Sequence, residues 1–516
     1  MSAGLADRFR QTLATAVTRL DEAPALASVR ALLAARAAQS DARLRVAVVG
    51  RVCQGKSTLV NALIGKSLTP TGTLELSYSV NHIRYGSPPC LTVHLKGGDT
   101  MVASLDDLQG YAARREDNRD LLASIDYLDA VSDQPYLLGF DLIDTAGLDS
   151  SWVEDSAVTL EFLRKSREDL ETETVEAAEK ADALIVVMSK RGMSATDEEM
   201  LRAFLGRESA SRSPVTTIGV LTKVEDLWPS SPDPFDAARQ IRDLMLSNES
   251  VRSMLFEVVP VCGKLAETAA GLGPAELADL RQLADAPKDK VELSLQSAQV
   301  FLREDRGLPL TARRRGELYA AFTGYGLTVA TSLVRNDTNV TPAELRERLA
   351  VASGISGLRD RLTDHFAHRA DLLKARLAGE LMLRADRSLR RYLGPADRRV
   401  LDGVTAMVTA YRRELGLAEL DLLQRLQTGA LPVSEADREE VLRLIGEYGR
   451  AVHTRLGLPP EAPLAGLAVR ADALHERWLL NGPAILDRES ADVLVQRCNK
   501  LKQNIRAARS HLEDPQ

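Results

Sequence analysis

The chain has 516 residues, 45% of them hydrophobic but only 4% aromatic, and a formal net charge of −7. That length exceeds one compact core, and a composition rich in Ala, Leu and Arg points to long packed helices rather than a β-sandwich. The acidic balance offers no basic stripe, so nucleic acid is not an expected partner, and four scattered cysteines (Cys53, Cys90, Cys262, Cys498) without a C-x-x-C pair argue against a disulfide framework or a zinc site.

In chain order, the first 23 residues mix Arg and Asp into apolar positions, unlike a signal-peptide core. Two short helices broken near Pro24 are expected up to about Ala38. From Leu44 onward, strand-like runs alternate with helical ones, which predicts a mixed, mainly parallel sheet with helices on both faces. The expected strands are Leu44–Val49, Val80–Arg84, Leu91–Leu95, Tyr136–Ile143, Ala183–Met188, Val215–Leu221 and Phe256–Val261, with a hairpin at Gly97–Gly98. The expected organisation is N-terminal helices over 1–43 packing with a C-terminal bundle, an α/β domain over 44–292, and a large all-α bundle or stalk over 293–516.

Between the first strand and a helix lies G-x-x-x-x-G-K-S, filled by Gly50, Gly55, Lys56 and Ser57. A glycine bend at that place turns backbone N–H groups onto an anion, helped by the positive end of the following helix. The phosphate cradle is therefore Gly50, Val52, Cys53, Gln54, Gly55, Lys56, Ser57 and Thr58, with Lys56 reaching the β- and γ-phosphates and the Ser57 hydroxyl on Mg²⁺. Downstream, D-x-x-G (Asp144, Gly147) ends an apolar strand, the place for a carboxylate that acts on Mg²⁺ through water and a glycine N–H that meets the γ-phosphate.

Further on, Thr222, Lys223 and Glu225 stand where a guanine reader has Thr-Lys-x-Asp, with Asp226 one residue later as the alternative carboxylate. Cys262-Gly263-Lys264, at the end of another strand, resembles a loop that turns a backbone N–H on guanine O6.

The remainder reads as helices. Thr341 to Glu344 forms a capping sequence, and breaks are expected at Gly394-Pro395, around Pro432, at Pro459-Pro460 and at Asn481-Gly482-Pro483. The last helix carries a heptad seam, Leu494, Cys498, Leu501, Ile505, Ala508 and Leu512, with Cys498 as a core residue. No stretch is long and apolar enough to span a bilayer, and Leu318–Val334 reads as a buried helical segment. His365 and His368 lack partners for a metal site, and Arg313-Arg314-Arg315 reads either as a solvated face or as a contact for anionic lipid.

The segments GRVCQGKSTLVNALIG, LTPTGTLELSYSVNHIRYG, LIDTAGLDS, LTKVEDL and PVCGKLAET, in this order and spacing, resemble the dynamin-like large GTPases of bacteria. The resemblance is specific over about Leu44 to Arg376 and architectural beyond. It implies a GTPase head on a helical bundle, GTP or GDP with Mg²⁺ as ligands, and low hydrolysis stimulated when two heads meet as a homodimer or heterodimer. A cytoplasmic location with contact at a membrane surface goes with it. By the same resemblance, the first-switch metal ligand is Ser77, with Ser79 and Thr73 as alternatives, and Lys56, Ser77, Asp144 and Gly147 form the catalytic set. Cys53 stands where the family often has serine or asparagine, and Arg51 is either a surface residue or a source of transition-state charge. Two other readings stay open on the residues: a nucleotide-dependent scaffold with little turnover, and ATP in place of GTP.

Overall fold

A computed structural model describes residues 3–40, 42–51, 53–69, 80–112, 121, 124–145, 181–189, 192–193, 198, 214–304 and 307–513. The apolar runs become one sheet of β1 (Leu44–Val49), β2 (Val80–Tyr85), β3 (Cys90–Leu95), β4 (Thr100–Ala103), β5 (Ile125–Ser132), β6 (Phe140–Asp144), β7 (Ala183–Met188), β8 (Thr217–Leu221) and β9 (Glu257–Pro260). Their spatial order is β4-β3-β5-β2-β6-β1-β7-β8-β9. From β6 to β9 every neighbour is parallel, and β1, β7 and β8 are almost wholly buried, as continuous Val/Ile/Leu strands covered on both faces must be. The expected mixed, mainly parallel sheet is thus present.

Two local expectations need correction. The run Tyr136–Ile143 is not one strand: Pro135–Leu138 forms a 3₁₀ turn and the strand begins at Phe140. Pro135 presets the turn, and Gly139 ends it. Strand β5 is absent from the expected set, because its acidic positions Asp126 and Asp129 dilute the apolar run. Yet β5 pairs with β2 in parallel and with β3 antiparallel, while β2 itself runs antiparallel to β6. The hairpin at Gly97–Gly98 joins β3 to β4 as expected, with the Gly98 N–H donating to the Leu95 carbonyl at 2.8 Å.

The described residues divide into two compact units. The sheet unit covers 43–207 and 217–363, so it extends well past the expected boundary at 292. The helices between Pro274 and Ala352 belong to it because their leucine faces share a core with the loop after β9. Leu277, Leu280, Leu283, Phe322 and Leu327 pack there with Cys262 and Leu265. The long helix Ala312–Asn336 buries Leu318, Phe322 and Leu327 in this core, in agreement with the buried reading of Leu318–Val334. No helix of the described residues is long and apolar enough to cross a membrane. The arginine run is engaged by the protein itself. Arg315 is buried and donates to the Phe301, Leu310 and Arg303 carbonyls, and Arg314 pairs with Asp279 at 2.6 Å.

The second unit covers 1–42, 208–216 and 364–516. Its first helix (Ala3–Leu20) packs on the bundle through an edge-to-face Phe9–Tyr411 pair and a Thr12–Tyr411 hydroxyl bond of 2.8 Å. The last two helices, Leu464–Ile485 and Arg488–Glu513, lie against each other. The seam Leu494, Cys498, Leu501 and Ile505 is buried, but Ala508 is exposed, and the Leu512 side chain lies outside the described ones. Burial pushes the Cys498 thiol up to about 12, in keeping with a core residue. The expected break at Gly482-Pro483 falls later, at Leu486. Pro483 removes only the bond to the carbonyl of Leu479, on an exposed face open to solvent. Trp478 is fully buried in this helix, its indole N–H donating to Glu440 at 3.1 Å. Trp478→Ala is expected to lower stability by about 3–5 kcal/mol, measured as a lower urea midpoint for the helical unit.

Candidate functional site

The carboxyl ends of the neighbouring parallel strands β6, β1, β7, β8 and β9 lie along one edge of the sheet, the place where open α/β folds build sites. Register places Val48 of β1 opposite Asp144 of β6, so the carboxylate stands level with the start of the glycine loop. On the other side of β6, Asn81 of β2 is its antiparallel partner.

The loop itself is built by close approach. A Cβ on Gly50 would lie 2.7 Å from the Val187 carbonyl oxygen and 2.9 Å from Gln54 Oε1, so no larger residue fits without moving backbone. Gly55 caps the helix Lys56–Ile64 in the left-handed region (φ +88°), where a side chain is strained. Gln54 ties the loop from within: its Oε1 accepts the Arg51 N–H at 2.8 Å, and its carbonyl accepts Thr222 Oγ1 at 2.6 Å. Lys56 Nζ lies back over the loop, donating to the Arg51 carbonyl at 3.1 Å. Cys53 is exposed at the loop tip with φ +60°.

Two charged groups at the centre are held against their preference. Asp144 is fully buried, and neither carboxylate oxygen accepts a hydrogen bond of full geometry. Burial pushes its pKa up to about 6, opposed by the attraction of Lys56 and by the nearby Asn81 and Ser57 side chains. Burial likewise lowers Lys56 to about 8, partly offset by Asp144 and Cys53. A fully buried anion with only the Asn81 and Ser57 side chains beside it, the latter a hydroxyl on the first turn of the phosphate-loop helix, fits a divalent cation. Ser57 and Asp144 are the described residues suited to hold it.

The second loop follows β8. Thr222 bonds the Met188 carbonyl as well as Gln54, which locks this loop to the phosphate loop. Lys223 adopts φ +58° and turns the chain so that Glu225 goes inward while Asp226 stays exposed. Glu225 Oε2 is buried without a hydrogen bond, and burial raises the carboxyl above its usual range despite the Cys262 thiol donating to it. The third loop follows β9: the Cys262 N–H donates to the Ser353 carbonyl at 2.9 Å, and Gly263 opens the helix Gly263–Gly271 beside Thr58. The first N–H groups of that helix have no intrahelical acceptor. Lys264 pairs with Glu267 at 3.3 Å.

The structure thus brings together Gly50, Cys53–Thr58, Asp144, Thr222, Lys223, Glu225 and Cys262–Lys264. Val52, Ser77 with its alternatives Ser79 and Thr73, and Gly147 lie outside the described residues. Two participants are missing from the sequence reading. Thr145, next to Asp144, donates to the Val48 carbonyl at 2.8 Å and fixes the end of β6 against β1. Asn61 is buried on the phosphate-loop helix; it donates to Thr69 O and Glu267 and accepts from the Leu68 and Thr69 N–H groups. It pins the loop entering residues 70–79, and the signal was an asparagine inside the apolar run LVNALI.

A strand, a glycine loop and a helix opening on Lys-Ser, with a carboxylate at the adjacent strand end, define a P-loop nucleoside-triphosphate domain. Residues 46–224 match the model of the dynamin family, so over this stretch the chain is similar to the dynamin-like GTPases. It is 28% identical over 435 residues to the isoniazid-induced protein IniC of Mycobacterium tuberculosis, covering 82% of this chain and 83% of that one. It is 27% identical over 124 residues to dynamin-like protein 2 of Campylobacter jejuni, covering 24% and 20%. A solved bacterial dynamin pair, described as sensing and tethering membranes, overlaps 98% of this chain and 79% of its own at 15% identity with a TM-score of 0.31, too loose a superposition to carry more.

Proposed function

We propose that the chain binds GTP with Mg²⁺ and hydrolyses it slowly, faster when two heads meet, and that the cycle moves the helical unit. The observation that carries this reading is the fully buried Asp144 carboxylate, held without a hydrogen bond of full geometry, level with the glycine loop and next to Lys56. Such a charge is unfavourable in the nucleotide-free protein and becomes favourable once a cation and a phosphate chain arrive. Mg²⁺ would neutralise the β- and γ-phosphate oxygens and the charge that develops as the terminal phosphoryl leaves.

The chain's own residues do the rest. The loop from Gly50 to Ser57 surrounds the phosphates with N–H groups. Lys56 exchanges the Arg51 carbonyl for phosphate oxygens. Ser57 and Asp144 hold the metal side, Ser77 closes it from the first switch, and Gly147 senses the γ-phosphate from the second. Glu225 accepts from guanine N1 and N2, the Lys223 stem covers the ring, and the Gly263 N–H meets O6. Hydrolysis then proceeds by positioning and charge stabilisation, and no described residue serves as a general base.

A route to the helical unit begins within the sheet unit. Arg359 donates to the Ala62 and Leu63 carbonyls, the last turn of the phosphate-loop helix, at 2.6 and 3.1 Å. The chain leads from there into the helical unit at residue 364. A shift of that helix on nucleotide loss therefore pulls directly on this segment. Contact with a membrane surface is proposed on family grounds alone.

The test is phosphate release from GTP and from ATP over a series of protein concentrations, with Lys56→Ala as the blank. Specific activity on GTP that climbs with concentration is expected. Blank-level release with tight GTP binding would replace the enzyme by a nucleotide-timed scaffold, and preference for ATP would overturn the base assignment.

A further inference from the structure

The helical unit contains a cavity of ≈760 Å³, room for a small ligand of headgroup or nucleotide size. Its wall collects cations from separate elements: Arg8, Arg369, Arg450, Arg455, Arg497 and Lys500. Three of these are neutralised. Arg8 pairs with Glu414 at the rim (3.1 Å), Arg369 with buried Glu447 (2.9 Å), and Arg497 reaches both oxygens of Glu419. The wall's one histidine, His368, pairs with Asp364 at 3.2 Å.

Arg450, Arg455 and Lys500 have no ion pair among the described residues, and Asp371 is the one lining carboxylate left to face them. Arg455 is 7% exposed, yet among the described residues its guanidinium has a single bond, from Nη1 to the Leu444 carbonyl at 3.1 Å. Burial lowers it to about 10, and repulsion from Arg497, Arg369 and Arg450 adds to this against the pull of Glu419. Arg450, at the rim, is lowered by burial and by Arg369 and Arg497. Another cavity of this unit, ≈830 Å³, sets four arginines against four carboxylates and so has no such excess.

A fold that crowds guanidinium groups around open space, with positive charge in excess of the carboxylates that face it, is complementary to a compact anion. Phosphate esters carry between one and two negative charges at neutral pH and accept the planar guanidinium fork at two oxygens. We propose that this cavity binds a phosphate-bearing anion through Arg450, Arg455 and Lys500. A free polyphosphate and the headgroup of an anionic phospholipid share that chemistry. The site is independent of the phosphate loop, since all its residues belong to the helical unit.

Calorimetry with inorganic pyrophosphate tests it, in full-length protein carrying Lys56→Ala so that the phosphate loop is silenced. In parallel, vesicles containing phosphatidic acid are compared with vesicles of phosphatidylcholine alone. Binding weakened about tenfold by Arg450→Gln and by Arg455→Gln is expected, with loss of the rise in Tm that the ligand gives the parent. Pyrophosphate binding with that pattern points to a soluble ligand, and the same pattern with phosphatidic acid vesicles only points to a headgroup; both support the site. Arg450 is at the exposed rim, so its variant decides the matter if Arg455→Gln fails to fold. Binding unchanged in Arg450→Gln, or no binding of either probe by the parent, overturns the proposal.

Discussion

Asp144→Asn is expected to make the nucleotide-free protein more stable while abolishing Mg²⁺-dependent GTP binding. The carboxyl ionises near 6 in the fold against 3.8 for the free side chain, because it is buried without full hydrogen bonds. A raised pKa means the folded state favours the proton, so ionisation counts against folding at every pH above that window. At pH 7 the penalty is about 2–3 kcal/mol, and the amide, which does not ionise, avoids it. The penalty already includes the attraction of Lys56, so losing that attraction does not reverse the sign. Thermal melts of the two proteins without nucleotide should differ by several degrees at pH 7. As pH falls from 6 toward 4 the parent takes up its proton and the difference should vanish. Addition of GTP with Mg²⁺ should stabilise the parent only. A variant less stable than the parent at pH 7 would show that the Asp144 charge supports the fold and is not reserved for a ligand.

Glu225→Ala is expected to lower the preference for GTP over ATP by about a hundredfold or more, because a site built to pair with donors on the base rejects a base that lacks them. Asp226→Ala should leave that preference intact, since Asp226 is exposed and Glu225 Oε2 is buried and unbonded. Burial holds the Glu225 carboxyl above the usual range, and only the carboxylate accepts both guanine donors. GTP affinity should therefore fall on acidification at a higher pH than for an ordinary glutamate. Competition of GTP and ATP for a fluorescent analogue, repeated at several pH values, reads both effects. Loss of preference in Asp226→Ala but not in Glu225→Ala would move the reading residue by one.

These two residues also show how far the sequence reaches. The order of glycine, lysine, serine and aspartate was enough to expect a strand, a bend and a helix start with a carboxylate beside them, because chain-local geometry determines these: a strand must end, a bend must be free of Cβ atoms, and a helix must begin. Which of Glu225 and Asp226 turns inward was not a local matter. It depended on the left-handed turn at Lys223 and on which carboxylate met the loop after β9. Asn61 and Thr145 were likewise visible as residues but not as participants, since the groups they bond come from other turns and strands.

The larger architecture divides in the same way. Sequence alone determined a parallel α/β sheet followed by helices, since hydrophobic period, capping boxes and turn residues act within a few positions. Only the tertiary structure decided that β5 joins the sheet between β3 and β2, and that the helices up to 363 belong with the sheet. It also decided that Arg314 and Arg315 serve the protein's own carboxylates and carbonyls while Arg450 and Arg455 face an open cavity. The physical reason is shared: local rules specify which face of an element is apolar or charged, whereas the partner of that face is chosen by packing between segments far apart in the chain.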